Sequence, residues 1–285
     1  MRLLLLTFFL SFTVTSPLFA QKYYVSRKNQ MFLGLSGGVN FSFVNVSEHH
    51  NVVVPLDAQE EDLVEKSYNS LGDNTSGQFG LFFKYGINRN FSVVFNPTYH
   101  NYRFKYMTDY SWSDTITSGD FEIEMLHDQR LNYFTFPLLI RWDITTRQFS
   151  PYVQLGIFNE FFHNGNKTIY YDHLIDEQVD MDKPVGSSGK VTISEHINPS
   201  NFGFLGGLGF SIYTNYATFG VETNFRYGFS DIVSNDERYT DKTGLTVQYL
   251  DVFDQLKLGN LNIQFKVIFP MDKSVDLRIL RKARH

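Results

Sequence analysis

The feature that most restricts this chain is an apolar/polar alternation of period two, repeated in long segments and carrying charge on its polar side. From Thr218 to Phe229 the odd positions read Phe219, Val221, Thr223, Phe225, Tyr227 and Phe229. The even positions read Thr218, Gly220, Glu222, Asn224, Arg226 and Gly228. Residues 260–269 repeat the pattern, with Leu261, Ile263, Phe265, Val267 and Phe269 against Asn260, Asn262, Gln264 and Lys266, and so do residues 78–87. Successive strand side chains point to opposite faces, so each segment has one greasy and one charged face. A half-buried soluble sandwich and a membrane barrel both produce this alternation, and strand length separates them. Eight segments, at 32–46, 77–87, 90–106, 129–143, 149–162, 201–213, 217–229 and 256–269, mostly reach the about 9–11 residues of a tilted membrane strand, whereas sandwich strands average about five or six.

The connections alternate between brief turns (87–90, 143–148, 214–217) and four long excursions (47–76, 107–128, 163–200, 230–255). Short periplasmic turns and long outer loops mark an outer-membrane barrel, and closure removes the strand edges that lipid would not tolerate. The predicted fold is therefore all-β: an eight-stranded antiparallel up-and-down transmembrane barrel with four long extracellular loops, its barrel spanning 32–270. Composition agrees, with 29 Phe, 17 Tyr and 20 Gly. Cysteine is absent, which excludes disulfide and thiolate-metal frameworks.

At the N-terminus, Arg2, the apolar Leu3–Leu10 run and Leu18-Phe19-Ala20-Gln21 have the order of a signal peptide, predicting cleavage after Ala20. The apolar run is shorter than the about 20 residues of a membrane-spanning helix. Residues 1–20 are thus read as signal peptide, 21–31 as a periplasmic N-terminal segment and 271–285 as a periplasmic tail, with the cell outer membrane as destination. Twenty-five of the 30 acidic residues fall in the four long loops, against six Lys or Arg. An exterior this acidic makes nucleic acid an unsuitable partner. The tail, with Val275, Leu277, Ile279 and Leu280 among Arg278, Arg281 and Lys282, reads either as a frayed terminus or as a dock for a periplasmic or outer-membrane protein partner or for anionic headgroups.

The segment Leu131-Asn132-Tyr133-Phe134-Thr135-Phe136-Pro137-Leu138-Leu139-Ile140-Arg141-Trp142, followed by Pro151-Tyr152-Val153-Gln154-Leu155-Gly156, resembles the central hairpin of PorT-like outer-membrane barrels. The glycine-rich stretches Phe202–Phe210 and Gly34–Gly38 fit the same family. The resemblance implies an eight-stranded barrel of a group often described as porin-like, some of whose members take part in type IX protein secretion.

Alternation turns Lys84, Arg141, Glu160, Glu222, Arg226 and Lys266 inward. Isolated charges are expensive in so narrow a space, so a network joining Glu222 and Glu160 to Arg226, Arg141, Lys84 or Lys266 is expected, read as a structural plug with an ion-selective pore as the alternative. Inward glycines, including Gly207 and Gly209, read as room for bulky neighbours, and Pro137 as a bulge or rim position. Tyr102, Phe104, Tyr106, Trp142, Tyr213 and Tyr227 read as interfacial aromatics that meet lipid headgroups.

No catalytic, cofactor or metal site is expected. His127-Asp128, His163 and His196 near Ser194 and Glu195 lack a spacing that geometry makes compelling for catalysis. Glu48-His49-His50, Glu60–Glu65 and Asp172–Asp182 read as solvated acidic loops, since no ordered ligand motif appears. Bridging of these loops by divalent ions to lipopolysaccharide remains the alternative. Outer-membrane lipid and lipopolysaccharide are the expected partners. Two functional classes stand: a structural or interaction barrel, and a small-solute porin-like channel.

Overall fold

The computed structural model describes residues 29–50, 66–68, 74–114, 119–172, 188–214, 217–238 and 251–271. The expected signal peptide, most of the expected N-terminal segment, Glu60–Glu65, most of Asp172–Asp182 and the tail beyond Met271 lie outside them.

Eleven strands form one antiparallel sheet: β1 (Met31–Glu48), β2 (Lys66–Tyr68), β3 (Thr75–Gly86), β4 (Phe91–Phe95), β5 (Thr98–Asp114), β6 (Gly119–Asp143), β7 (Phe149–Asp172), β8 (Ser188–Thr192), β9 (Ser200–Tyr213), β10 (Thr218–Gly228) and β11 (Gln255–Pro270). β4 and β5 are one stave interrupted at Asn96-Pro97. Phe95 pairs with Leu138 and Thr98 with Thr135, so β6 continues past the gap without a register shift. The staves β1, β3, β4/β5, β6, β7, β9, β10 and β11 then form a closed ring of eight, completed where β1 pairs with β11 from Phe32↔Pro270 to Glu48↔Gln255. β2 and β8 pair with β5 and β7 where these run on past β3 and β9.

Local chemistry sets the tight turns. Between β3 and β4 the Asn88 side-chain oxygen accepts from the amides of Asn90 (2.8 Å) and Phe91 (2.7 Å). Between β6 and β7, Thr145 donates to the Phe149 carbonyl (2.9 Å) and Ser150 to that of Thr145 (2.5 Å).

Two sequence expectations are corrected. The described parts of the excursions 107–128 and 163–200 are largely sheet, because β5, β6 and β7 run on well beyond the lipid-facing stretch. Pro137 is neither a bulge nor a rim position. It lies mid-stave opposite the Asn96-Pro97 interruption, where β6 has least need of a donor, and the only β6–β7 register shift falls at Asn132/Tyr133.

A band of exposed apolar side chains rings the wall, among them Leu35, Phe79, Leu81, Leu138, Ile140, Leu155, Ile157, Leu208, Phe225 and Phe265. It ends near Trp142, Phe149, Phe219 and Phe269 at the short-turn end and near Phe134, Phe161, Phe202 and Phe229 toward the long loops. Such a band suits hydrocarbon. Beyond Phe134 the faces exchange roles without any change of parity: on β5, Tyr102, Phe104 and Tyr106 point inward and are buried, while Asn101, Arg103 and Lys105 point outward. The ring therefore continues as an extension with a dry core, where Tyr106, Met125, Ile169, Ile193 and Ile197 pack with Val233 and Phe253 from the last long connection.

Candidate functional site

The inward faces of the eight staves converge on a lumen in which Lys84, Arg141, Glu160, Glu222, Arg226 and Lys266 are all buried. They lie at three heights along the axis, with Lys266 beside Glu222 in the middle one.

Nearest the short turns, Arg141 donates to Asp143 from Nε (3.0 Å) and Nη2 (2.5 Å) and to Ser211 (2.9 Å). Lys84 reaches the other Asp143 oxygen (3.3 Å) and the Tyr213 hydroxyl (3.2 Å). Asp143 was assigned to a turn by the sequence, and its part as shared counter-ion was missed because it is the last residue of its strand. Parity from Arg141 would have found it.

In the middle cluster, Lys266 and Glu222 form an ion pair (2.5 Å), and Glu222 accepts from Tyr152 (2.7 Å), Asn224 (2.7 Å) and Gln264. The Arg141 guanidinium lies over the Tyr152 ring, 3.4 Å from its centroid. Gly209 permits this arrangement, since a Cβ there would fall 2.5 Å from the tip of Tyr152 and 2.7 Å from Glu222.

Toward the loops, Glu160 accepts from Asn201 (2.7 Å), Tyr102 (3.1 Å) and Thr135 (3.3 Å). His100 lies 3.6 Å from Glu160 and 3.1 Å from Arg226, between the two expected partners. With every stave contributing, the lumen is filled by side chains, as an eight-stranded ring allows.

A further cluster in the extension was not legible, because its members are far apart in sequence. Asp251 is approached by Lys167, Tyr106 (2.9 Å) and His127 (3.2 Å). Asp254 is approached by Lys66 (3.1 Å), Tyr68 (2.7 Å) and His49 (3.3 Å). Burial alone would raise the Asp251 carboxyl, but His127, Lys167 and Lys66 hold it well below the usual carboxylate range. Burial pushes the His127 imidazole down to about 3, against the pull of Asp251. Burial also lowers His50 and His196.

Four of the six aromatics read as interfacial are corrected. Tyr102, Phe104 and Tyr106 lie inside the extension, and Tyr213 lies inside the lumen beneath Lys84. Trp142 is outward at the short-turn end, stacked on Phe91 (6.3 Å), and Tyr227 is outward between Phe204 and Phe229. Of the residues weighed for catalysis, His127 is buried against Asp251, His163 sits on the outer wall beside Tyr99 and Phe134, and His196 packs on Phe253.

A family model described as "Outer membrane protein beta-barrel domain" matches residues 19–234. The chain belongs to this family. It is thus an integral outer-membrane β-barrel protein. No curated protein matches it. Among solved structures it is similar to the outer membrane protein OprG from Pseudomonas aeruginosa, with 16% identity over 86% of this chain and 98% of that one (TM-score 0.38). It is also similar to Ail, the attachment invasion locus protein of Yersinia pestis, with 12% identity over 85% and 99% (TM-score 0.34). The outer membrane protease OmpT from Escherichia coli is 11% identical over 88% and 99% (TM-score 0.31).

Proposed function

We propose that this barrel is a sealed scaffold that acts through its cell-surface extension and its periplasmic rim, not as an enzyme and not as a conduit. The observation that carries this reading is the double closure of the interior. Paired charges fill the lumen, and an apolar core built from Tyr106, Ile169, Val233 and Phe253 occupies the ring above it. Water and ions crossing the barrel would have to displace both. Burial of the lumen charges is offset where they bond to their neighbours, as Glu222 does with Tyr152, Asn224 and Gln264.

Taken with the PorT-like resemblance, the role this supports is that of an accessory to type IX protein secretion. The basic, apolar sequence after Phe269 offers a place for a periplasmic partner. Affinity purification of the full chain from outer membranes tests it, and secretion components are expected to co-purify. Truncation after Phe269 is expected to lose them while the barrel stays folded.

The polar inward residues are also what a small-solute channel would carry. Planar-bilayer recording of the purified protein separates the readings. Silence or brief flickers are expected, and large stable openings would refute the sealed scaffold.

A further inference from the structure

On the outer wall, just beyond the apolar band, the β3–β5 ladder ends at Gln78↔His100 while β5 runs on beside β6. Ser76 still donates to the Asn101 carbonyl, and outside that contact lies a groove of about 510 Å³ lined by Gly77, Phe79, Tyr99, Asn101, Arg103 and Arg130. A Cβ added at Gly77 would meet nothing within 4 Å, so the backbone there faces open space.

The chemistry of this wall changes rung by rung away from the band. The lowest rung is aromatic, with Tyr99 against Phe79 (5.6 Å) and Phe134 (5.0 Å). Above it is a ladder of amides: Asn101 donates to Asn132 (2.7 Å), and Asn132 to Asn164 (2.5 Å). The next rung sets Arg103 directly opposite Arg130. Like charges placed opposite one another destabilise a sheet unless an anion lies between them. Asp128 serves both, accepting from Arg103 at 3.0 and 2.7 Å and from Arg130 at 3.4 Å. Among the described residues one carboxylate serves two guanidinia here, and Lys105, the register partner of Asp128, adds a third cation. Arg130 remains about half exposed.

We propose that this groove seats a phosphorylated glycolipid of the outer leaflet. Its acyl chains descend past Phe79 and Tyr99, its sugar hydroxyls meet the asparagine ladder, and its phosphate is held by Arg103 and Arg130. The order of the rungs is the order of groups along such a lipid. The guanidinium fork matches phosphate oxygens in a way a point charge does not. The glycolipid is preferred to a phospholipid because the amide ladder offers paired donors and acceptors suited to hydroxyls, and because the groove lies on the long-loop side, the cell-surface side in such barrels. The assignment is independent of whether the lumen conducts.

The test is native mass spectrometry of the refolded full chain in detergent, titrated with bisphosphorylated lipid A, with the same lipid A after dephosphorylation, and with phosphatidylglycerol. The wild type is expected to retain one lipid A and to hold the dephosphorylated form at least about tenfold more weakly, the scale of a lost charge-assisted contact. R103Q/R130Q should lose the same factor while keeping its heat-modifiable gel shift. D128N, which removes the competing carboxylate, should bind at least as tightly as wild type. Should the double variant not fold, R130Q alone, at the rim, is expected to lose several-fold. The proposal is overturned if a folded variant lacking one or both arginines binds like wild type, if dephosphorylation changes nothing, or if phosphatidylglycerol binds as well as lipid A.

Discussion

Within the apolar band this barrel is greasy outside and charged inside, whereas in the extension above it the same staves are polar outside and enclose an apolar core around one buried charge cluster. β5 shows the exchange in one strand: Tyr99 faces out and His100 faces in, yet a few residues on Arg103 faces out and Phe104 is fully buried. No bulge on β5 turns the strand over. The pleat keeps its parity, and it is the side chains that change as the surrounding medium changes from hydrocarbon to water. A side chain's inward or outward position is thus set by the ring, while whether that position should be polar is set by height.

The comparison is broken most strongly by removing one buried group from each region. Glu222→Ala strands Lys266 inside the lumen and is expected to cost about 3–5 kcal/mol, read as loss of the whole barrel in urea unfolding from lipid. E222Q/K266M, which removes both charges, should restore most of that. Phe104→Ala should cost a similar roughly 3–5 kcal/mol by opening a cavity, but its effect should appear as protease cleavage within the extension while the band stays folded. Equal global unfolding by both would show that the two regions are one cooperative unit.

A smaller difference is expected on the outer face. Leu155→Arg, in the band, should cost about 2–4 kcal/mol. Asn166→Glu, a charge outward on the same strand in the extension and opposite Arg130, should stay within about 0.5 kcal/mol. Both are measured by unfolding in the same bilayers. Comparable costs would mean that the hydrocarbon reaches higher than the aromatic rung.

Between pH 7 and 5.5 a smaller effect is a pH dependence confined to the extension. His127 is neutral when folded and protonates in the unfolded chain below about 6.5, so the unfolded state binds the extra proton and acidification lowers stability. The loss should be about 1.4 kcal/mol per pH unit below 6.5, continuing until the folded-state value of about 3. Asp251, held low in the folded state, adds to the loss only below about pH 4. Amide exchange at pH 7 and 5.5 should show faster opening of β5 and β6 beyond Tyr102 at the lower pH, with H127Q flattening the difference.

Much of this was legible in the sequence, because period two is a direct image of the pleat. The eight staves, the brief turns and the inward placement of Glu222 and Lys266 all follow from it. The interfacial reading of Tyr102, Phe104 and Tyr106 failed because aromatic character was given priority over parity. Counting outward from Tyr99 puts all three inside, and Asn101, Arg103 and Lys105 on the other face were the signal. Asp251 and Lys167 carried no such signal, since their meeting depends on how a long connection returns over the ring. The Asn96-Pro97 break opposite Pro137 was half visible: each proline could be seen to lack a donor, but not that the two positions face each other.

The first and last strands of the ring are each other's neighbours. Until Gln255–Pro270 has emerged there is nothing for Met31–Glu48 to pair with on that side, so a chain stopped early would be an open ribbon with two raw margins instead of a smaller cylinder. Closure of this protein into a cylinder is therefore an event that waits for its last strand.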